Sequence, residues 1–333
     1  MEQESRMINR RRLSIAAAAL AMGPAKLALA HDDHGSSTGT PAATPVAGAP
    51  IGLDDLGLPT IDITITAEGF EGVPAEIAAG RYLVRATGSA GAEEAAAAFI
   101  RPPEGMDADE LIGALGIGGG PPAQAAASLA ASPAAGPPPE EPLPSFVYQM
   151  TFAGGAVLST GATGAAIIDL RPGEWIVWGD DPMATQVPAI FGVTGELSTD
   201  LPEPPSDIGV RFIDYAIEIG GALTGGDHIL RIDNQGAQPH FIVLFKGPET
   251  MTNEHLGMLF AAEMGGGTPA ALPFNPDTDL IPVLGTAAQS IGTLQWVPVT
   301  LEKGTYAAVC FFPTAGTGAP HAMMGMHTVF TVT

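Results

Sequence analysis

The sequence predicts an all-β protein built as two tandem Greek-key β-sandwich domains. Three observations carry that expectation. Glycine (43) and proline (31) are abundant in the 333 residues while only 6% are aromatic, a composition that favours many short strands over long helices. Runs of alternating apolar and polar residues recur between those Gly and Pro positions, as in half-buried strands. One long segment also occurs twice. The length itself suits two domains, each with a core of its own.

Taken in order, residues 1–30 read as an export leader. Asn9-Arg10-Arg11-Arg12-Leu13-Ser14 is a basic start, Ile15 to Met22 a short apolar run, and Ala28-Leu29-Ala30 a small-residue cleavage site. The adjacent arginines and Lys26 give it the look of a twin-arginine signal. The apolar run is too short for a membrane anchor. Removing the leader shifts the net charge from −23 to about −26. That acidity argues against nucleic acid and against an anionic membrane surface. The expected location is therefore outside the cytoplasm, periplasmic or extracellular at the cell surface. Residues 31–55 form a flexible Gly/Ser/Thr/Pro linker. It begins His31-Asp-Asp-His34, a possible second metal site whose plainer reading is a polar tail.

The repeat defines the rest. Gly91–Leu111 aligns without gaps on Gly236–Leu256, Arg171–Pro182 on Lys303–Pro313 with Gly173 opposite Gly304, and Ile190–Thr194 on Val329–Thr333. The period is too long for a solenoid. The expected domains are 56–196 and 207–333, with 197–206 as the linker. In the first, strands are expected over Ile61–Ala67, Arg81–Arg85, Ala166–Leu170 and Glu174–Trp178. In the second they are expected over Phe212–Ile219, His228–Asn234, His240–Lys246, Leu294–Leu301, Gly304–Phe311 and Thr328–Thr333. A short helix is expected after Pro103 and again around Met251–Ala262. Gly118–Glu141, rich in Ala, Pro and Gly, reads as a surface insertion.

The chemistry sits at the C-terminal end. Cys310 is the only cysteine, which excludes an intrachain disulfide framework. His321 follows eleven residues later and Met326 five after that. Thiolate, imidazole and thioether are a soft set suited to copper, and a mononuclear site needs one more histidine. His240 supplies it, in Asn234-Gln-Gly236-Ala-Gln-Pro239-His240.

Here the chain resembles the cupredoxins, the blue copper proteins. That family carries an Asn-x-Gly-x-x-Pro-His segment at a strand start. It also carries a C-terminal Cys…His-x4-Met loop with Gly before the Met, matched by Cys310, His321, Gly325 and Met326. The gap from Cys310 to His321 is longer than in small members and closer to the loop of copper nitrite reductases. The resemblance implies one type 1 copper held by His240, Cys310, His321 and Met326. Two imidazoles and a thiolate would lie in a plane with a weak axial thioether, a site for one-electron transfer. Met323 and Met324 compete for the axial place, but the Gly-Met spacing favours Met326. His327, His228 and His255 read as non-ligands.

The first domain reads as a relative without a copper site. Ala95 stands opposite His240 and Gly179 opposite Cys310, and no histidine occurs between His34 and His228. The leading expectation is an exported electron carrier working with a redox protein partner. Two alternatives are a copper binding or delivery protein without a redox role, and a two-domain copper oxidoreductase of the nitrite-reductase type. The second would need additional histidine-bound copper. The His-x-His pairs and His-Cys-His run of multicopper oxidases are missing, which favours a carrier over a catalyst.

Overall fold

A computed structural model describes residues 52–89, 95–116, 143–158, 163–179, 186–265 and 271–333. The leader, the His31 and His34 tail, the insertion Gly118–Glu141 and Pro182 lie outside the described residues. Among the described residues no helix is long and apolar enough to cross a membrane.

The expected all-β class is met: the described chain forms seventeen strands, with helices few and short. The first half contributes β1 (Thr60–Ile65), β2 (Phe70–Glu71), β3 (Glu76–Ala78), β4 (Gly80–Gly88), β5 (Ala96–Arg101), β6 (Thr151–Val157), β7 (Thr163–Leu170), β8 (Gly173–Trp178) and β9 (Ala189–Thr194). The second half contributes β10 (Ile208–Ile213), β11 (Ala216–Gly221), β12 (Gly226–Asn234), β13 (Val243–Gly247), β14 (Ile281–Gly285), β15 (Leu294–Leu301), β16 (Gly304–Val309) and β17 (His327–Val332). Alternation places the side chains. In β1, Ile61, Ile63 and Ile65 are buried while Thr60, Asp62 and Thr64 face out, and β10 repeats the pattern with Ile208, Val210 and Phe212 inward.

The pairings of the two halves correspond. β1 pairs antiparallel with β2 and parallel with β4; β10 does the same with β11 and β12. β8 joins β5 to β9 as β16 joins β13 to β17. Register agrees to the residue: Gly173 faces Val193 and Gly304 faces Val332. Both glycines hold left-handed φ, 141° and 146°, a backbone that a Cβ would strain. Even the ladder irregularity recurs, between Phe99 and Ile100 in β5 and between the aligned Leu244 and Phe245 in β13.

One eight-stranded sheet runs through both halves in the order β11-β10-β12-β15-β7-β4-β1-β2. The halves meet where β15 pairs with β7, Gln295 opposite Ile168 and Trp296 opposite Ile167. A five-stranded sheet (β3-β9-β8-β5-β6) packs on the first half of this layer, and a four-stranded sheet (β14-β13-β16-β17) belongs to the second. Buried side chains of all three sheets form a continuous core. A smaller cluster of Leu53, Leu83, Ala165, Ile167 and Trp296 covers the other face at the seam. There the Arg81 guanidinium lies 4.3 Å above the Trp296 ring. It also bonds both Asp169 oxygens (2.7 and 2.8 Å) and the Pro202 carbonyl (2.6 Å).

Two expectations need correction. Phe212–Ile219 is not one strand but the end of β10 and most of β11, turned at Asp214 and Tyr215. Tyr215 adopts φ 63°, a conformation usually left to Gly or Asn, and Asp214 is the one turn-forming residue type in the run. The ladder of His240–Lys246 begins only at Val243. Before it, His240 exchanges single backbone bonds with Gln289 (3.0 and 2.8 Å). The two sandwiches share hydrogen bonds where β15 pairs with β7. The first helix, Ala108–Leu115, starts at an Asp107/Glu110 capping box. The second, Asn253–Gly265, packs its Phe260 edge-on to Phe311 with 5.6 Å between ring centres.

Candidate metal centre

Four residues mark the candidate site, and two elements deliver them. The loop before β13 carries His240. Asn234, fully buried at the end of β12, shapes that loop from inside. Its amide donates to the carbonyls of Gln238 (2.9 Å) and Gln289 (2.7 Å), and its oxygen accepts the Gly236 N–H (2.9 Å). An Asn here satisfies three backbone groups that a buried turn would otherwise strand. Gly236 is required by its neighbours: a Cβ there would lie 2.6 Å from both Asp214 Oδ1 and His240 Nε2.

The second element is the segment after β16. Cys310 ends that strand fully buried. The long gap to His321 folds back on itself: Pro313 bridges to Pro320, Thr314 N–H bonds the Ala319 carbonyl (2.8 Å), and His321 N–H bonds Phe312 O (2.9 Å). The added length is thus taken up in a side hairpin, leaving His321 opposite Phe312. His321–Met324 makes one short helical turn ended by Gly325 at φ 99°. Met326 then returns beside the ligands. Its N–H bonds His321 O (3.0 Å) and its carbonyl accepts the Cys310 N–H (3.1 Å); the side chain is fully buried.

The structure brings His240, Cys310 and His321 together as one buried cluster, the single such group among the described residues. His240 Nδ1 lies 3.0 Å from His321 Nδ1. Cys310 Sγ lies 3.8 Å from the first and 3.6 Å from the second. A metal bonded to imidazole at about 2.0–2.1 Å and to thiolate at about 2.3 Å separates its donors by distances of this order. His228, His255 and His327 do not join it. His228 is held by Asp207 and the Thr224 carbonyl, His255 faces Phe274 and His327 faces Phe260. Met323 and Met324 point outward, 39% and 50% exposed.

Electrostatics suit a cation. Burial, partly offset by Asp214, pulls the His240 imidazole down to about 4. Burial and the neighbouring His240 pull His321 down to about 3, against Asp214. Both rings are therefore neutral near pH 7 and can donate lone pairs. Burial pushes the Cys310 thiol up to about 12, despite hydrogen bonds from the Phe241 and Phe312 backbone. In this dry site the thiolate needs a cation beside it.

Sequence reasoning missed two residues here, Asp214 and Tyr215. Asp214 Oδ1 lies 3.1 Å from His240 Nε2, so that nitrogen carries the proton and Nδ1 faces the cluster. The same carboxylate accepts the Ala237 and Gln238 amides (3.0 and 3.3 Å). The Tyr215 ring stands edge-on to His321 at 5.4 Å, and Gln238 ties its hydroxyl (3.1 Å) to the hairpin amide of Ala315 (2.7 Å). Only a turn signal between Phe212 and Ile219 could have exposed them.

No protein-family model and no curated protein matches the chain. Among solved structures the likeness is to copper proteins. Auracyanin from the photosynthetic bacterium Roseiflexus castenholzii is 22% identical over 38% of this chain and 94% of its own, with a TM-score of 0.24. Auracyanin A, a "blue" copper protein from Chloroflexus aurantiacus, is 19% identical over 38% and 97%, with a TM-score of 0.25. The copper nitrite reductase from Nitrosomonas europaea is 9% identical over 82% and 93%, with a TM-score of 0.20. At such scores the metal reading rests on the ligand geometry of this chain.

Proposed function

We propose that the protein carries single electrons through one type 1 copper ion, exchanging them with a redox protein partner. The observation that supports this is the buried cluster of His240 Nδ1, Cys310 Sγ and His321 Nδ1, mutually 3.0–3.8 Å apart. His240, Cys310, His321 and Met326 would hold the ion, which when bound supplies one-electron redox chemistry. The chain's own residues keep the donors still. Asp214 fixes the His240 tautomer, Asn234 fixes its loop, and the Met326 backbone clasps both Cys310 and His321. Donors held this way need little movement between two oxidation states. Phe212, Phe312 and Tyr215 around the imidazoles keep water out. Met323 and Met324, exposed on the turn that carries His321, offer a soft apolar contact for the partner.

Two further parts of this reading concern organisation. The halves 56–196 and 207–333 are copies of one domain, the first without a metal site; their matching registers and shared bulge position support this. The acidic chain is exported by its leader, to the periplasm or the cell surface. N-terminal sequencing of the secreted protein checks the cleavage after Ala30.

The deciding experiment is copper loading of the purified protein. One copper per chain is expected, with an intense visible thiolate band and the matching paramagnetic spectrum, both lost in Cys310→Ser. A colourless protein that takes up no copper overturns the reading. A second, spectroscopically ordinary copper returns a delivery role or a copper oxidoreductase to the foreground.

A further inference from the structure

Where the halves meet, a cavity of about 220 Å³ opens between them. The first half lines it with Arg101, Tyr148, Thr151 and Arg171, the second with Pro239 and Ile291. Its charge is unusual for this molecule. The chain has 36 acidic residues against 13 basic ones, and every other arginine of the described residues has a carboxylate partner. Arg81 pairs with Asp169, Arg85 with Asp54 and Asp62, Arg211 with Glu218, and Arg231 with Glu203 and Asp233. Among the described residues Arg101 and Arg171 pair with none, and both line the same cavity.

Arg101 is fixed rather than free. It donates to the Pro172 carbonyl (2.9 Å) and to Thr151 Oγ1 (3.3 Å), with its guanidinium 5.8 Å from the centre of the Trp175 ring. Both acceptors are neutral, so its charge is uncompensated. Burial and the repulsion of Arg171 lower its proton affinity, the mark of two like charges facing one space. Arg171 is exposed at the mouth, and its side chain has no hydrogen-bond partner among the described residues. The one carboxylate lining the cavity, Asp169, is engaged by Arg81 through both oxygens, and nearby Glu174 accepts the Ala108 N–H (2.7 Å).

We propose that this cleft binds a small oxyanion, a carboxylate or a phosphoryl group, between Arg101 and Arg171. A guanidinium carries N–H donors in a fork that matches either anion. The cavity is smaller than a typical drug-sized site, which limits the ligand to an inorganic anion or one of a few carbons. Pro239 and Ile291 supply an apolar wall for such a stem. The walls of the cleft come from both halves. The site stands on residues outside the metal cluster, so it does not depend on copper.

Calorimetry on the full chain at low ionic strength tests this, with inorganic phosphate and succinate as probes. Saturable binding of one anion per chain is expected, weakened about tenfold or more in Arg101→Gln and in Arg171→Gln and lost in the double variant. Tighter succinate binding identifies the carboxylate as the ligand; tighter phosphate binding identifies the phosphoryl group. No saturable binding of either probe overturns the proposal, as does unchanged binding in the double variant. Should Arg101→Gln disturb the fold through Thr151 and Pro172, Arg171→Gln decides alone, since nothing among the described residues depends on its side chain.

Discussion

The two halves place different residues on the same frame. In the second half the position after β16 is Cys310 and the position before β13 is His240. In the first half the aligned positions are Gly179 and Ala95. There Gln186 closes over Gly179: a Cβ on that glycine would collide with the Gln186 amide oxygen and reach Phe70 at 3.8 Å. Gln186 in turn bonds the Thr66 carbonyl (2.9 Å). The strand pairings and bulge are nonetheless shared. The comparison teaches that packing holds this frame and the His240, Cys310 and His321 cluster is an addition to it. Ile65, Phe99, Trp175 and Phe191 do for the first half what Phe212, Leu244, Tyr306 and Phe330 do for the second.

Substitutions that separate ligand from frame test that lesson. Cys310→Ser has the largest expected effect, complete loss of the visible thiolate band, with far-UV circular dichroism unchanged. Loss of strand signal together with the band would mean that the second half needs its metal to fold. Arg81→Ala comes next. It leaves Asp169 unpaired at a seam where Arg81 is 7% exposed, and is expected to cost about 3 kcal/mol. Chemical denaturation would read this as an earlier midpoint and as two steps in place of one.

Asn234→Ala removes three hydrogen bonds that the first half does not make, since Gly88 stands at the corresponding place. A cost of about 2–3 kcal/mol is expected, with weaker copper retention measured by competition with a chelator. Asp214→Asn keeps the shape but removes the charge behind His240. It should cost about 1 kcal/mol or less and raise the reduction potential measured by voltammetry, because a less basic imidazole stabilises Cu(II) less. An unchanged potential would remove Asp214 from the site.

The smallest effect concerns pH. Burial pulls His228 down, but the bonds to Asp207 and to the Thr224 carbonyl outweigh it and leave His228 raised. Burial pushes Asp207 up, but His228 and the Ile229 amide leave it lowered. The histidine's contribution is complete below its ordinary value of 6.5 and fades as pH rises through its raised one. The carboxylate's is complete above 3.8 and fades as pH falls through its lowered one. His228→Gln should therefore lose most stability between those two ordinary values, about 1 kcal/mol for a pair with one exposed member, and little in alkali. Thermal melts across pH give the comparison.

Much of this was legible in the sequence. Leu294–Leu301 is a strand to the residue, because alternation there is bounded by turns at both ends. The clustering of His240, Cys310 and His321 was legible because residue type and spacing are constrained together there. The β10–β11 hairpin was not, because Val210-Arg-Phe-Ile-Asp-Tyr-Ala-Ile-Glu-Ile219 holds no Gly, Pro or Asn and its turn falls on one aspartate and a tyrosine. With it went Asp214, whose role depends on a fold that brings residue 214 to residue 240. The joining of the halves at β7 and β15 was equally hidden, since residue pairs like Trp296 and Ile167 look the same in sequence whether they face solvent or another strand.

That seam decides whether the halves can live apart. Cut between 196 and 207, each piece would bare the edge that now pairs across the seam, Ile167–Ile168 of β7 in one and Gln295–Trp296 of β15 in the other. An open edge of this kind is a template for adding a foreign strand. The second half expressed alone would be expected to self-associate through β15, so the first half serves as its edge guard.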